Sequence, residues 1–228
     1  MAYFISDGKP RLELYRLLSS CIVPRPIAWV STRSRSGQPN LAPFSFFNGV
    51  TSNPPTLAFT VMDRGEEMKD TARNIAEHPE FIVHIVTGSM ARQMNQTSGD
   101  FAPEVDEFEQ AGLSALPGSL VDVPRVAEAA IAMECRLSHH LRLGNSAPQA
   151  SHILGEIVAW HVRDDLLGGS LAEPVDPVAL DAVGRMGGEH YIRSGELFGM
   201  SRPVIGPDDP RSLRHPRRRT GGPRENSS

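Results

Sequence analysis

The segment IAMECRLSHHLRL, residues 131–143, limits the possible folds of this chain more than any other stretch. Ile131, Met133, Cys135, Leu137, Leu141 and Leu143 all fall on odd positions, and only His139 interrupts them. A period of two held over thirteen residues is the signature of a long, half-buried β-strand and not of a helix. GNSAPQAS then turns the chain, and HILGEIVAWHV, residues 152–162, is expected to return beside it.

Further strands are expected over residues 27–32, 57–62 and 81–87, with a turn at Gly37 in SRSGQ. Residues 11–20 place Leu12, Leu14, Tyr15, Leu17 and Leu18 near helical spacing, and Pro24 and Pro26 bar continuation. DTARNIAEHPE reads as a helix capped by Asp70 or Thr71 and closed by Pro79. Asp176-Pro177 starts a short one. The helices sit between strands without alternating strictly with them. The expected architecture is therefore mainly β with helical insertions, a barrel and not a doubly wound parallel sheet.

The length suits one domain, residues 1–205. From Arg202 onward seven arginines face only Asp208, Asp209 and Glu225. That region is rich in Pro and Gly and poor in aliphatics, so residues 206–228 read as a disordered tail. RHPRRR is read as a solvated terminus in preference to a nucleic-acid contact. No apolar run approaches the ~18 residues of a membrane span, and the N-terminal stretch does not read as a secretory signal. Cys21 and Cys135 form no CxxC, so neither a disulfide framework nor a zinc site is expected, and a reducing cytoplasm fits.

Familiar catalytic signatures are missing: no GxSxG, no HExxH, no Walker loop. GRMGG lacks the dinucleotide spacing. His139 and His140 point to opposite strand faces, so no metal site is expected. Two stretches do carry chemistry. NLAPFSFFNGVTSNPP, residues 40–55, sets small polar groups among aromatics and ends in two prolines that stop a ladder. Arg64, Lys69, Asp70 and Thr71 cluster at a helix start, where free N–H groups suit a phosphate. Lys69 stands out because the chain has 21 arginines and only two lysines. An ordinary capped helix with a solvated flank is the competing reading of that cluster.

PRPIAWVST, NLAPFSFFNGVTSNPP, KDTARNI and GRMGGEHY, in this order, resemble the flavin reductase-like FMN-binding proteins. The resemblance covers residues 10–203 and ends at Arg202-Pro203. It implies a split β-barrel, a homodimer, and FMN held near the subunit interface. It also implies that residues 40–48, with Asn40, Ala42, Pro43, Phe44, Ser45 and Asn48, lie along the flavin ring. Lys69, Thr71 and Arg64 would take the phosphate, while Asp70 caps the helix or accepts from a ribityl hydroxyl. Trp29 lines the ring pocket or belongs to the core. His152 lies near the flavin on the nicotinamide side or is a loop histidine. Tyr191 closes the site.

The family's chemistry belongs to its cofactor, so no catalytic protein residue is expected. The implied function is an FMN-dependent oxidoreductase using NADH or NADPH. It would reduce flavin for a partner monooxygenase or reduce a small-molecule acceptor. The alternatives are an FMN-binding electron or flavin carrier without NAD(P)H oxidation, and a flavin-free barrel whose basic tail docks on nucleic acid.

Overall fold

The computed structural model describes residues 1–169 and 173–203. One compact unit spans Met1–Gly195. The second unit, Glu196–Ser228, has no helix or strand in its described residues. The expected tail, residues 206–228, lies outside the described residues.

In chain order, α1 is Arg11–Cys21, followed by β1 Arg25–Pro26, β2 Ala28–Arg33, β3 Pro39–Phe44, β4 Phe47–Ser52 and β5 Pro55–Met62. Next come α2 Asp70–Glu77, β6 Glu80–Ile85, α3 Ala91–Gln96 and α4 Glu107–Gln110. β7 Ala115–Pro117, β8 Pro124–Val126, β9 Ile131–Leu143 and β10 Ala150–Val162 follow. The last elements are α5 Pro177–Leu180, β11 Val183–Arg185 and β12 Tyr191–Arg193.

Seven strands form one antiparallel sheet in the order β3-β2-β6-β9-β10-β5-β4. Its two edges, β3 and β4, are separated in the chain only by Ser45 and Phe46. Three residue steps reach at most about 11 Å. The sheet must therefore curl until Phe44 and Phe47, one end of each edge strand, come within that distance. No ladder joins the two edges, which leaves a barrel split along one seam. The Thr60 N–H donates to the Phe46 carbonyl at 2.9 Å and fixes the bridging turn to β5. Pro43, Phe44 and Ser45 thus stand at the seam.

Inside the curl, Phe59 packs against Phe44 and Phe81 with ring centroids 5.6 and 5.5 Å away. Gly155 on β10 is required by this packing, because a Cβ there would lie 2.3 Å from the Phe81 ring. β2 is buried on both faces. Ala28 and Val30 join the barrel core. Ile27 and Trp29 face an outer core with Leu41, Met90, Met94 and Phe108.

The long hairpin forms where the alternation predicts it, over Ile131–Leu143 and Ala150–Val162. Its burial does not follow the odd positions throughout. Residues 131–135 are buried on both faces, whereas Leu141 and Leu143 are each 48% exposed. β6 covers β9 only as far as Arg136, and beyond that point β10 is the one sheet neighbour. The prolines after Asn53 also act differently from expectation. They form a tight hairpin in which Pro55 opens β5 opposite Ser52. α1 forms as expected, but Ser19 is its one buried residue.

Candidate functional site

The seam separates two cavities that share Pro43, Phe44 and Ser98 in their walls. One, of about 60 Å³, is polar and of mixed charge: Arg64 and Lys69 face it with Asp70, Asp100 and Glu107, beside Asn40 and Thr71. The other, of about 230 Å³, is bounded by Tyr15, Ile27, Ser45, Asn95, Arg185 and Tyr191. A polar, charged end and an aromatic end therefore lie on either side of one strand terminus.

The charged end is built on the start of α2. Lys69 is the N-cap residue, in extended conformation, and no side chain caps the helix. This corrects the expectation that Asp70 or Thr71 caps it. Asp70 lies inside the first turn, where its carboxylate pairs with Arg73. The uncapped start leaves the N–H groups of Asp70 and Thr71 without an intrahelical acceptor. Among the described residues Lys69 pairs with no carboxylate. Arg64 pairs with Asp100 at 2.6 Å and remains half-exposed. Two free N–H groups, a helix dipole and an unpaired ammonium are the donor set an anion needs.

The Asn40 amide donates to the Thr71 hydroxyl at 2.9 Å, and both residues are buried. Thr71 is thereby held within the wall. Beyond Asn40 and Asp70 lies a further cavity of about 390 Å³, flanked by Arg35, Arg73, Glu77 and Glu104.

The aromatic end depends on a buried arginine. Arg25 is 6% exposed and donates to the carbonyls of Ser19, Ile22 (2.8 Å) and Met186 (3.1 Å), and to Ser45 Oγ at 3.4 Å. It ties the end of α1, the β11–β12 hairpin and the seam turn to one point. The Tyr191 hydroxyl donates to Asn95 Oδ1 at 3.2 Å, and the Arg185 guanidinium stacks 4.4 Å from the Tyr191 ring centroid. Tyr15 meets the Phe46 ring edge-on.

Ten of the thirteen residues expected at the site face these two cavities. Three do not. Trp29 is fully buried, and its indole N–H donates to Thr97 Oγ1 at 2.9 Å. Its outward face on β2 puts it behind the cavity wall, where it holds Thr97 in place. Asn48 is exposed on β4 opposite Ala58. His152 is a strand residue of β10, not a loop residue, and its Nδ1 lies 2.9 Å from Thr60 Oγ1. Sequence reasoning missed Ser98, Gly99 and Glu107 at the charged end and Tyr15, Asn95 and Arg185 at the aromatic end. Arg185 lies within GRMGGEHY, and Ser98-Gly99 is a small-residue turn after α3. Those two signals were available.

Comparison with known proteins settles the family. The profile of the flavin reductase like domain matches residues 19–176. The chain belongs to the flavin reductase-like family. An uncharacterized relative from Halalkalibacterium halodurans is 40% identical over 204 residues, 87% of this chain and 95% of that protein. Among solved structures, nitrilotriacetate monooxygenase component B from Bacillus cereus superposes with a TM-score of 0.84 at 33% identity, covering 88% of this chain and 98% of that one. The Pseudomonas fluorescens 2-nitrobenzoate 2-nitroreductase superposes with a TM-score of 0.78 at 31% identity, covering 90% and 98%. The split barrel of this flavin reductase-like chain is the fold of its family.

Proposed function

We propose that this chain is an FMN-dependent oxidoreductase that takes hydride from NADH or NADPH. The observation that carries this reading is the shared wall of Pro43, Phe44 and Ser98, which joins a phosphate-suited cavity to an aromatic one. The donor set fits a flavin mononucleotide: Lys69 and the α2 N–H groups suit its phosphate, with Arg64 at the rim. Asn40 and Thr71 order the cavity next to that phosphate. Ala42, Pro43 and Phe44 on β3, with Ser45 just beyond it, would hold the ring along one side, and Tyr191 would close the site. Bound flavin supplies the hydride chemistry. The protein binds the phosphate, orients the ring and shields one of its faces.

With flavin bound, the chain would serve the reduction of a small-molecule acceptor or supply a partner monooxygenase. The likenesses to a monooxygenase component and to a nitroreductase support these two destinations. A homodimer belongs to the same reading. α1 exposes Leu12, Tyr15, Leu17 and Leu18, and Tyr15 borders the aromatic cavity, so a second copy laid on α1 would shield the site. Neither described cysteine is in a disulfide, which supports a cytoplasmic setting.

The test is an absorption spectrum of the purified protein with added FMN, then an air-free titration with NADH and with NADPH. Binding with bleaching of the flavin band by either nucleotide is expected. Bound flavin that stays oxidised with both would leave a carrier, and a protein that does not quench FMN fluorescence would overturn the assignment.

A further inference from the structure

Glu107 opens the short helix α4 and lines the charged cavity. It is 8% exposed, and its Oε2 accepts from the Leu41 N–H at 3.1 Å. Among the described residues it forms no ion pair. The strand beneath it, β3, carries no titratable side chain. Asp106 precedes it and caps α4 through the Phe108 N–H at 2.8 Å. From α2 it feels Asp70, whose carboxylate is already paired with Arg73. The remaining charged groups in the cavity wall are Lys69, and Arg64 with its partner Asp100. A carboxyl taken out of water beside two acidic neighbours, with only the Leu41 N–H and its own N–H to favour the charge, holds its proton. Burial first, then Asp70 and Asp106, pushes its pKa up to about 7.

We propose that Glu107 is a specificity residue of this cavity: as a neutral acid it donates a hydrogen bond to the phosphate-bearing end of the ligand, and as a carboxylate it repels that end. The proposal rests on reading the cavity as the phosphate end of an FMN site. A protonated carboxyl has one O–H to give, and ionisation both removes that donor and places a like charge beside the phosphate. By reciprocity, bound phosphate holds the proton on Glu107, so FMN binding above neutral pH takes up a proton. The second ionisation of the phosphate, near pH 6, acts in the opposite direction. It adds charge for Lys69 to hold as pH rises and cannot imitate the effect.

The experiment is FMN titration by fluorescence quenching on the full chain between about pH 6 and about pH 8.5, for the wild type and for Glu107→Gln. If only the protonated form binds, Kd rises roughly tenfold or more across that range, while the glutamine variant stays within about twofold of its own starting value. Proton release or uptake on mixing, read with an indicator dye in weak buffer, needs no variant. Uptake approaching one proton per FMN near pH 8 is expected. Tight binding with a flat wild-type profile, the same slope in the glutamine variant, or no proton uptake would each overturn the role of Glu107 alone. No FMN binding at any pH would overturn the cavity assignment and the proposal with it.

Discussion

The Asn40 amide reaches across from β3 to the Thr71 hydroxyl at 2.9 Å, joining the sheet to the first turn of α2. Three residues later on α2, Asn74 donates to Thr32 on β2 at 3.1 Å. Two amide–hydroxyl bonds thus pin an uncapped helix start to the barrel wall. Thr71→Val keeps the shape and removes the acceptor, which leaves a buried amide unsatisfied. A loss of about 1–3 kcal/mol in unfolding free energy is expected, with weaker FMN binding, as read by urea denaturation and fluorescence titration. Unchanged stability would mean that water or relaxation satisfies Asn40.

Lys69 separates phosphate recognition from ring recognition. A lysine–phosphate contact is charge-assisted and worth roughly 1.5–3 kcal/mol. Lys69→Ala should therefore weaken FMN by roughly tenfold to a hundredfold and leave riboflavin, which has no phosphate, nearly unaffected. Parallel titrations with the two flavins check this. An equal loss for both would show that Lys69 supports the fold and not the phosphate.

Much of this organisation was legible in the chain. The odd-position pattern over residues 131–143 gave the long strand with correct ends, because a strand's side chains alternate whatever lies around it. The four ordered blocks pointed to the seam strand and to the α2 start. Other features depend on distant partners. Glu107 meets Leu41 across 66 positions, and no local pattern marks a carboxyl for burial. Trp29 lies on a strand buried on both faces, so alternation cannot tell the cavity side from the outer core. Half-burial failed beyond Arg136 because the neighbour that would cover β9 ends there.

The exposed face of α1 carries an assembly prediction. Light scattering on the flavin-loaded protein should give about 50 kDa, twice the 24.9 kDa chain. Leu12→Glu combined with Leu18→Glu should shift it toward the monomer and weaken flavin binding, because Tyr15 on the same helix borders the aromatic cavity. A monomer that keeps one FMN per chain would show that a single chain completes the site.

The last prediction concerns two buried groups whose proton linkages oppose each other. His84 is fully buried; its Nδ1 donates to the Trp29 carbonyl at 2.9 Å and its Nε2 accepts from the Val126 N–H at 3.0 Å. Both nitrogens are used by the neutral ring, and a second ring proton would face another N–H. Burial pushes its pKa from 6.5 to about 4. Between those values the unfolded chain binds the extra proton, so the contribution of His84 to stability is lost as pH falls from 6.5 to 4. Glu107 runs the other way. Its pKa is raised from 4.5 to about 7, so the folded chain holds the extra proton and stability is lost as pH rises through that window. Each group contributes a slope of roughly 1.4 kcal/mol per pH unit. In the wild type the two slopes nearly cancel between 4.5 and 6.5. Glu107→Gln removes one of them. Subtracting the wild-type unfolding free energy from that of the variant cancels the groups they share. The difference should climb by roughly 1.4 kcal/mol per unit from pH 4.5 to about 7, then level off. Urea denaturation at intervals across that range measures it. A difference independent of pH would show that Glu107 binds its proton equally in the folded and unfolded chain.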